Sequence, residues 1–101
     1  MEFQSTTRVP TVIVVEDEAL IGVEIVTILS ESGIHAIGPL ASAEAALSAI
    51  SNSHIDGAVI DLDLNGNVDF KIANLLAEAH VPFVIYTGSD TRLVPRRHQR
   101  V

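Results

Sequence analysis

The sequence predicts an α/β protein with a parallel sheet covered by helices on both faces. The chain has 101 residues, of which 48% are apolar, and this suits one small domain with a real core. Short apolar runs rich in β-branched residues alternate with segments of helical period, in the order βαβαβαβ. The links between them are short, and helical crossovers between parallel strands are right-handed in nearly all proteins.

The first half of the chain contains two strands and one helix. Residues 11–15 (TVIVV) follow Pro10 as a continuous apolar run, which is typical of a strand buried on both faces. A helix starts at Glu18 and stops at Gly33. Its apolar positions recur at helical spacing: Leu20, Ile21, Val23, Ile25, Ile28 and Leu29. Residues 34–38 (IHAIG) form a second strand, which Gly38-Pro39 is expected to close.

The second half repeats this rhythm. Ser42 is expected to cap a helix that ends at residues 51–53, with Ala43, Ala46, Leu47 and Ile50 facing inward. Residues 56–62 form the third strand, residues 65–67 a turn, and residues 83–87 the fourth strand after Pro82. The third helix is marked by Phe70, Ile72, Ala73, Leu75, Leu76 and Ala79.

Charge is distributed unevenly along the chain. The net charge is −7, yet four of the six basic residues lie in the last ten positions. An acidic body repels phosphate backbones, so a nucleic-acid partner is disfavoured, and a short basic run is usually a solvated surface. We therefore divide the chain into an N-terminal tail at 1–10, a domain core at 11–91 and a basic tail at 92–101.

Several function classes are excluded by residues that the sequence lacks. It has no cysteine, which excludes disulfides, thiolate zinc sites and thiol catalysis and suits a reducing cytoplasm. The N-terminal MEFQSTTR is too polar for a signal peptide, and no apolar run approaches the ~18 residues of a membrane span. We predict a cytoplasmic protein without a membrane partner. The four histidines are scattered, and we interpret them as surface or packing residues.

Candidate site residues follow the predicted strands, because ligands of open parallel sheets bind beyond the carboxyl ends of the strands. These residues are Glu16, Asp17 and Glu18 after strand 1, Asp61 and Asp63 after strand 3, and Thr87 and Gly88 after strand 4. If strands 1 and 3 are neighbours, Glu16, Asp17 and Asp61 converge and repel one another unless a cation joins them. Oxygen ligands of this kind favour Mg²⁺.

Three motifs together resemble the receiver (CheY-like) domain of bacterial two-component response regulators. They are the acidic pair in VVEDE, the Asp in AVIDLDLNG and the Thr in VIYTG, and their order matches over residues 11 to about 91. The resemblance implies a flavodoxin-like, doubly wound sheet with strand order 2-1-3-4. The segments IGPLASAEAAL and TGSD…VP…R are most similar to receivers that pair with HWE-class sensor kinases.

The resemblance also implies roles for individual residues and partners. Asp61 corresponds to the phosphoacceptor, and Mg²⁺ would be held by Asp17, Asp61, the backbone carbonyl of Asp63 and, through water, Glu16. Thr87 matches the switch hydroxyl that binds the phosphoryl group, and Gly88 matches the small residue after it. The donor would be a sensor histidine kinase or a phosphotransfer protein, and the output a downstream protein target. Such a domain signals and is not an enzyme with a separate substrate.

One feature of the family is missing from the sequence. The family has a Lys followed by Pro at the end of a fifth strand, whereas the only lysine here, Lys71, lies in the third predicted helix. We therefore expect a C-terminally truncated or degenerate receiver without the fifth strand and last helix. Strand 4 would then be an unpaired edge, part of the first helix would be uncovered, and a homodimer could form through that edge.

Two other functions remain open. A degenerate receiver would act as a docking or dimerisation module without phosphorylation. Alternatively, Asp61, Asp63 and Thr87 resemble two motifs of the haloacid dehalogenase phosphatases, although that family has its second acidic pair downstream and this chain has its acidic pair upstream.

Overall fold

The structure, a computed structural model, describes residues 8–61, 64 and 70–86. Its elements are β1 (Thr11–Val15), α1 (Ala19–Glu31), β2 (His35–Leu40), α2 (Ala43–Asn52), β3 (Gly57–Asp61), α3 (Lys71–Glu78) and β4 (Phe83–Tyr86). All the strand pairs are parallel, and the order across the sheet is β2-β1-β3-β4. The predicted α/β fold and strand order are therefore confirmed. The basic tail at 92–101 lies outside the described residues.

The core lies on the face of the sheet that α2 and α3 cover. Ile13 and Val15 from β1 and Ala58 and Ile60 from β3 are buried there, because both strands have a neighbour on each side. Helix α2 adds Ala46 to this cluster, and α3 adds Ile72 and Leu76. Burial on both sides explains why β1 reads as an uninterrupted apolar run.

Helix α1 covers the other face of the sheet over β2 and β1. It ends as predicted, because Gly33 has a φ of +83°, the left-handed conformation in which glycine is preferred after a helix. Its apolar positions are less buried than their helical spacing suggests. Leu20, Val23 and Ile28 are all exposed, with Leu20 86% accessible. As the sequence analysis expected, part of the apolar surface of this helix is uncovered.

Strand β2 continues beyond its predicted end. It was expected to close at Gly38-Pro39 but extends to Leu40. Proline lacks an N–H to donate, which an edge strand tolerates, and the register between β1 and β2 shifts between Ile13 and Val15. Gly38 has a φ of +132°, and a Cβ atom there would lie 2.6 Å from the Val14 carbonyl oxygen. Glycine at this position therefore lets β2 continue close to β1.

The remaining helix predictions are largely confirmed. Helix α2 begins after Ser42, whose Oγ accepts a hydrogen bond of 3.1 Å from the backbone N–H of Ala45. Phe70 was expected to mark the third helix but precedes it and is half-exposed. The buried residues of α3 are Ile72 and Leu76, which are four positions apart and therefore lie on one side of the helix.

Asp56 ties the start of β1 to the start of β3. The prediction placed it in the third strand, but it precedes β3, and its Oδ2 accepts a 2.7 Å hydrogen bond from the backbone N–H of Thr11. Arg8 donates to both carboxylate oxygens, and His54 lies 3.0 Å from Oδ1. The Thr11 N–H, and then the Arg8 guanidinium and His54, lower the pKa of Asp56 to about 2.

Candidate functional site

Three of the predicted acidic residues meet at the carboxyl ends of β1 and β3. Because these strands are neighbours, Glu16 and Asp17 after β1 lie beside Asp61 at the end of β3. One carboxylate oxygen from each residue lies within 4.8 Å of the other two. Glu16 is 1% and Asp61 3% accessible, whereas Asp17 is exposed. This acidic cluster is therefore open to solvent on the side of Asp17.

Glu16 is held in the cluster by hydrogen bonds from three segments. Its backbone N–H donates to the Leu40 carbonyl at 2.9 Å, and its Oε2 accepts from the backbone N–H of Glu18 at 2.9 Å. Its Oε1 accepts a hydrogen bond from the Tyr86 hydroxyl on β4. Both oxygens of this buried carboxylate therefore have a donor.

Close packing of α1 supports this arrangement. Gly22 is the buried residue of α1, and a Cβ atom there would lie 3.5 Å from Glu16 Cγ and only 2.5 Å from Pro39 Cβ. A side chain at position 22 would push the helix away from β2 and from the Glu16 stem. The glycine thus sets how closely α1 approaches the acidic cluster.

Burial and like charge shape the electrostatics of the cluster. Burial raises the pKa of Glu16, and the neighbouring Asp61 carboxyl raises it further against the opposing effects of the Tyr86 and Glu18 donors. Burial, and then Glu16, also raise the pKa of Tyr86, so its phenol keeps its proton and remains a donor. Two buried carboxylates side by side are unfavourable unless a cation or a proton lies between them.

The donor set fits a hard divalent cation. All three side chains offer carboxylate oxygens, which Mg²⁺ prefers, and one oxygen of each lies within a single small volume. Asp17 gives this volume contact with solvent, so a cation can enter and retain water ligands. Within the described part of the chain, these three carboxylates therefore fit such a cation.

The other predicted site residues fall in different places. Asp63, Thr87 and Gly88 lie outside the described residues. Glu18 stands at the N-cap of α1 and contributes only its backbone N–H to the cluster, and Lys71 is the first residue of α3.

Tyr86 was missed by the sequence analysis, although it contacts the acidic cluster. The signal was a polar side chain next to the end of the predicted strand 83–87, and in the structure it lies opposite Asp61 in register. Strand order alone brings the carboxyl end of β4 next to that of β3. A polar side chain at this position should therefore have been considered with the site.

A cavity of about 430 Å³ is also present among the described residues. It lies at the opposite end of the sheet, and its lining includes Ile50, His54, Val81 and Pro82. None of the three clustered carboxylates lines it. Among the described residues, no helix is long and apolar enough to cross a bilayer.

The fold and the acidic cluster together define a class of protein. A parallel sheet in the order β2-β1-β3-β4, with carboxylates at the ends of its two central strands, is the architecture of response-regulator receiver domains. The chain therefore has the receiver-type fold.

Several solved structures are similar to this chain. The chain is similar to SdrG from Sphingomonas melonis Fr1, with 28% identity, a TM-score of 0.78 and coverage of 91% of this chain and 79% of SdrG. The BeF3-activated conformation of SdrG from Pseudomonas melonis Fr1 matches at 28% identity and a TM-score of 0.70, covering 89% of this chain and 77% of that one.

A third similar structure is more distant. The response regulator PhyR from Brucella abortus has 22% identity and a TM-score of 0.73, and the match covers 90% of this chain but 38% of PhyR. At this identity the likeness supports the fold alone. Comparison with protein-family models and with curated protein sequences found no match.

Proposed function

We propose that the chain is a phosphorylation-dependent receiver domain with Asp61 as its phosphoacceptor. The observation that carries the proposal is the position of Asp61, which is buried at the end of β3 with its carboxylate beside those of Glu16 and Asp17. Asp17 and Asp61, with the Asp63 backbone carbonyl, would hold Mg²⁺ directly, and Glu16 would do so through water. The similarity to a BeF3-activated SdrG supports an activation of this kind.

The chemistry requires Asp61 to act as a nucleophile. A carboxylate oxygen of Asp61 forms a bond to the phosphorus of a donor phosphohistidine, the phosphorus–nitrogen bond breaks, and the donor imidazole takes up a proton. When bound, Mg²⁺ supplies positive charge against the charge on the phosphoryl oxygens. Thr87 is proposed to donate its hydroxyl to the new phosphoryl group, with Gly88 as the small residue that leaves room for it.

The partners follow from this chemistry. The proposed donor is a sensor histidine kinase, of the HWE class by the sequence resemblance, or a phosphotransfer protein. The proposed output is contact with a downstream protein, and the proposed place of action is the cytoplasm. In this role the domain modifies itself and passes on a signal, so no separate substrate is turned over.

A second candidate function is docking or dimerisation without phosphorylation. It is favoured by the exposed apolar side chains of Leu20 and Val23 on α1 and Val84 and Ile85 on β4, an edge strand among those described. Unpaired edges and exposed apolar surface promote association between chains. A dimeric mass by light scattering at high concentration would support this candidate, and a monomeric mass would count against it.

The proposed phosphorylation is tested by intact-protein mass after incubation with a small acyl phosphate donor and Mg²⁺. A single phosphoryl adduct is expected, absent without the metal and absent in Asp61→Asn. Asp56→Asn is the matched control and should label normally, because Asp56 lies at the other end of the sheet. No adduct on a folded sample would contradict the proposal, and turnover of a small phosphate ester would indicate the phosphatase alternative.

A further inference from the structure

Tyr86 is the last residue of β4 and lies opposite Asp61 in the β3–β4 register. Its hydroxyl donates to Oε1 of Glu16, seventy residues earlier in the chain. It is the only tyrosine in the sequence, which has no tryptophan. The side chain therefore connects the end of β4 with the acidic cluster and is also the dominant fluorophore of the protein.

The hydrogen bond from Tyr86 holds the second oxygen of the Glu16 carboxylate. The Glu18 N–H at the start of α1 holds one carboxylate oxygen, and Tyr86 holds the other from a strand on the far side of β3. With donors from two separate elements, the carboxylate cannot rotate without breaking one of the bonds. Its orientation is thus set before any cation arrives.

We propose that Tyr86 is a positioning residue for the metal site: its hydroxyl holds the Glu16 carboxylate in the orientation that serves a divalent cation bound with Asp17 and Asp61. The inference rests on the proposed function, because it assumes that the cluster binds Mg²⁺. Hydrogen-bond partners of metal-site carboxylates contribute strongly to affinity, and their removal typically weakens metal binding about 10- to 100-fold.

The bond also makes β4 sensitive to occupancy of the cluster. A cation that draws electron density from the Glu16 carboxylate weakens the hydrogen bond that this carboxylate accepts from the Tyr86 hydroxyl. The environment of the Tyr86 ring therefore changes when the cation binds, at a position directly before Thr87.

The first test compares Mg²⁺ binding to the wild-type chain and to Tyr86→Phe by isothermal titration calorimetry. Phenylalanine keeps the ring and removes only the hydroxyl, so we expect Mg²⁺ affinity to fall about tenfold. Ile85→Val is the matched control on the same strand and should bind as the wild type does. Far-UV circular dichroism confirms that each variant is folded.

The second test uses the wild-type chain alone and does not depend on the folding of a variant. Mg²⁺ should change the tyrosine emission with the same midpoint as the calorimetric titration. A third test is a double-mutant cycle. In a Glu16→Gln background, Tyr86→Phe should cause a much smaller further loss of affinity, because the charged carboxylate that Tyr86 orients has already been removed.

The outcomes separate this inference from the proposed function. Equal Mg²⁺ affinity in the wild type and Tyr86→Phe, or tyrosine emission that ignores bound Mg²⁺, would overturn the role of Tyr86 and leave the magnesium site intact. A wild-type chain that binds no Mg²⁺ would overturn both.

Discussion

Replacing Asp61 by asparagine should stabilise the metal-free protein, although it removes the proposed phosphoacceptor. The substitution keeps the shape of the side chain and removes one negative charge from the cluster with Glu16 and Asp17. Buried like charges oppose folding, and the raised pKa of Glu16 reflects both its burial and the presence of Asp61. A site built for a cation is therefore a local source of instability when no cation is bound.

The magnitude follows from the distances in the cluster. Two unit charges 4.8 Å apart repel by about 3.5 kcal/mol at an effective dielectric constant of about 20 and by about 1 kcal/mol in bulk water. Asp17 is exposed, so water screens part of this repulsion. We expect Asp61→Asn to raise the free energy of unfolding by about 1 to 2 kcal/mol near neutral pH.

The assay is urea unfolding followed by circular dichroism in buffer containing a chelator. Asp56→Asn makes the same chemical change at an acid surrounded by donors, and it should destabilise the protein. Added Mg²⁺ should stabilise the wild type by mass action and leave Asp61→Asn nearly unchanged. The reasoning is refuted if Asp61→Asn is destabilised without metal, or if the two asparagine variants shift stability in the same direction.

Two further predictions concern the core and the end of the sheet away from the cluster. Leu76→Ala should lower the free energy of unfolding by about 2 to 5 kcal/mol, because Leu76 is fully buried. Leu20→Ala, at an exposed position, should change it by under about 0.5 kcal/mol. Equal effects of the two substitutions in urea unfolding would contradict the described packing. Because the pKa of Asp56 is lowered on folding, its contribution to stability is complete above the unfolded-state pKa near 3.8 and is lost as pH falls toward about 2. The free energy of unfolding should therefore depend less on pH in Asp56→Asn than in the wild type across that window. An unchanged profile would rule the contribution out.

Local patterns were sufficient to predict most of the elements. The apolar run of β1, the Ser42 cap of α2 and the glycine after α1 each act through neighbouring residues, so their outcome did not depend on the rest of the fold. The end of β2 was wrong, because whether Gly38-Pro39 ends a strand depends on the strand beside it. Pairing with β1 and the edge position carry β2 through to Leu40.

The acidic residues of the site could be found in the sequence, since each follows a recognisable strand and parallel strands end at the same edge of a sheet. Their convergence, by contrast, depended on β1 and β3 being neighbours. Burial of Glu16 and Asp61 beside an exposed Asp17 is a further tertiary result, and for Glu16 it involves the close packing of α1 at Gly22.

By itself the sequence determined the order of the elements, the α/β class of the fold and the carboxylate chemistry of its site, because these follow from periodicity, caps and the residues at strand ends. Only the tertiary structure decided that Tyr86 donates to Glu16 across β3 and that part of α1 stays exposed. Both depend on which surfaces meet between elements far apart in the chain, and no local pattern encodes such contacts. Hydrogen bonds at those contacts hold the Glu16 carboxylate, and burial raises its pKa.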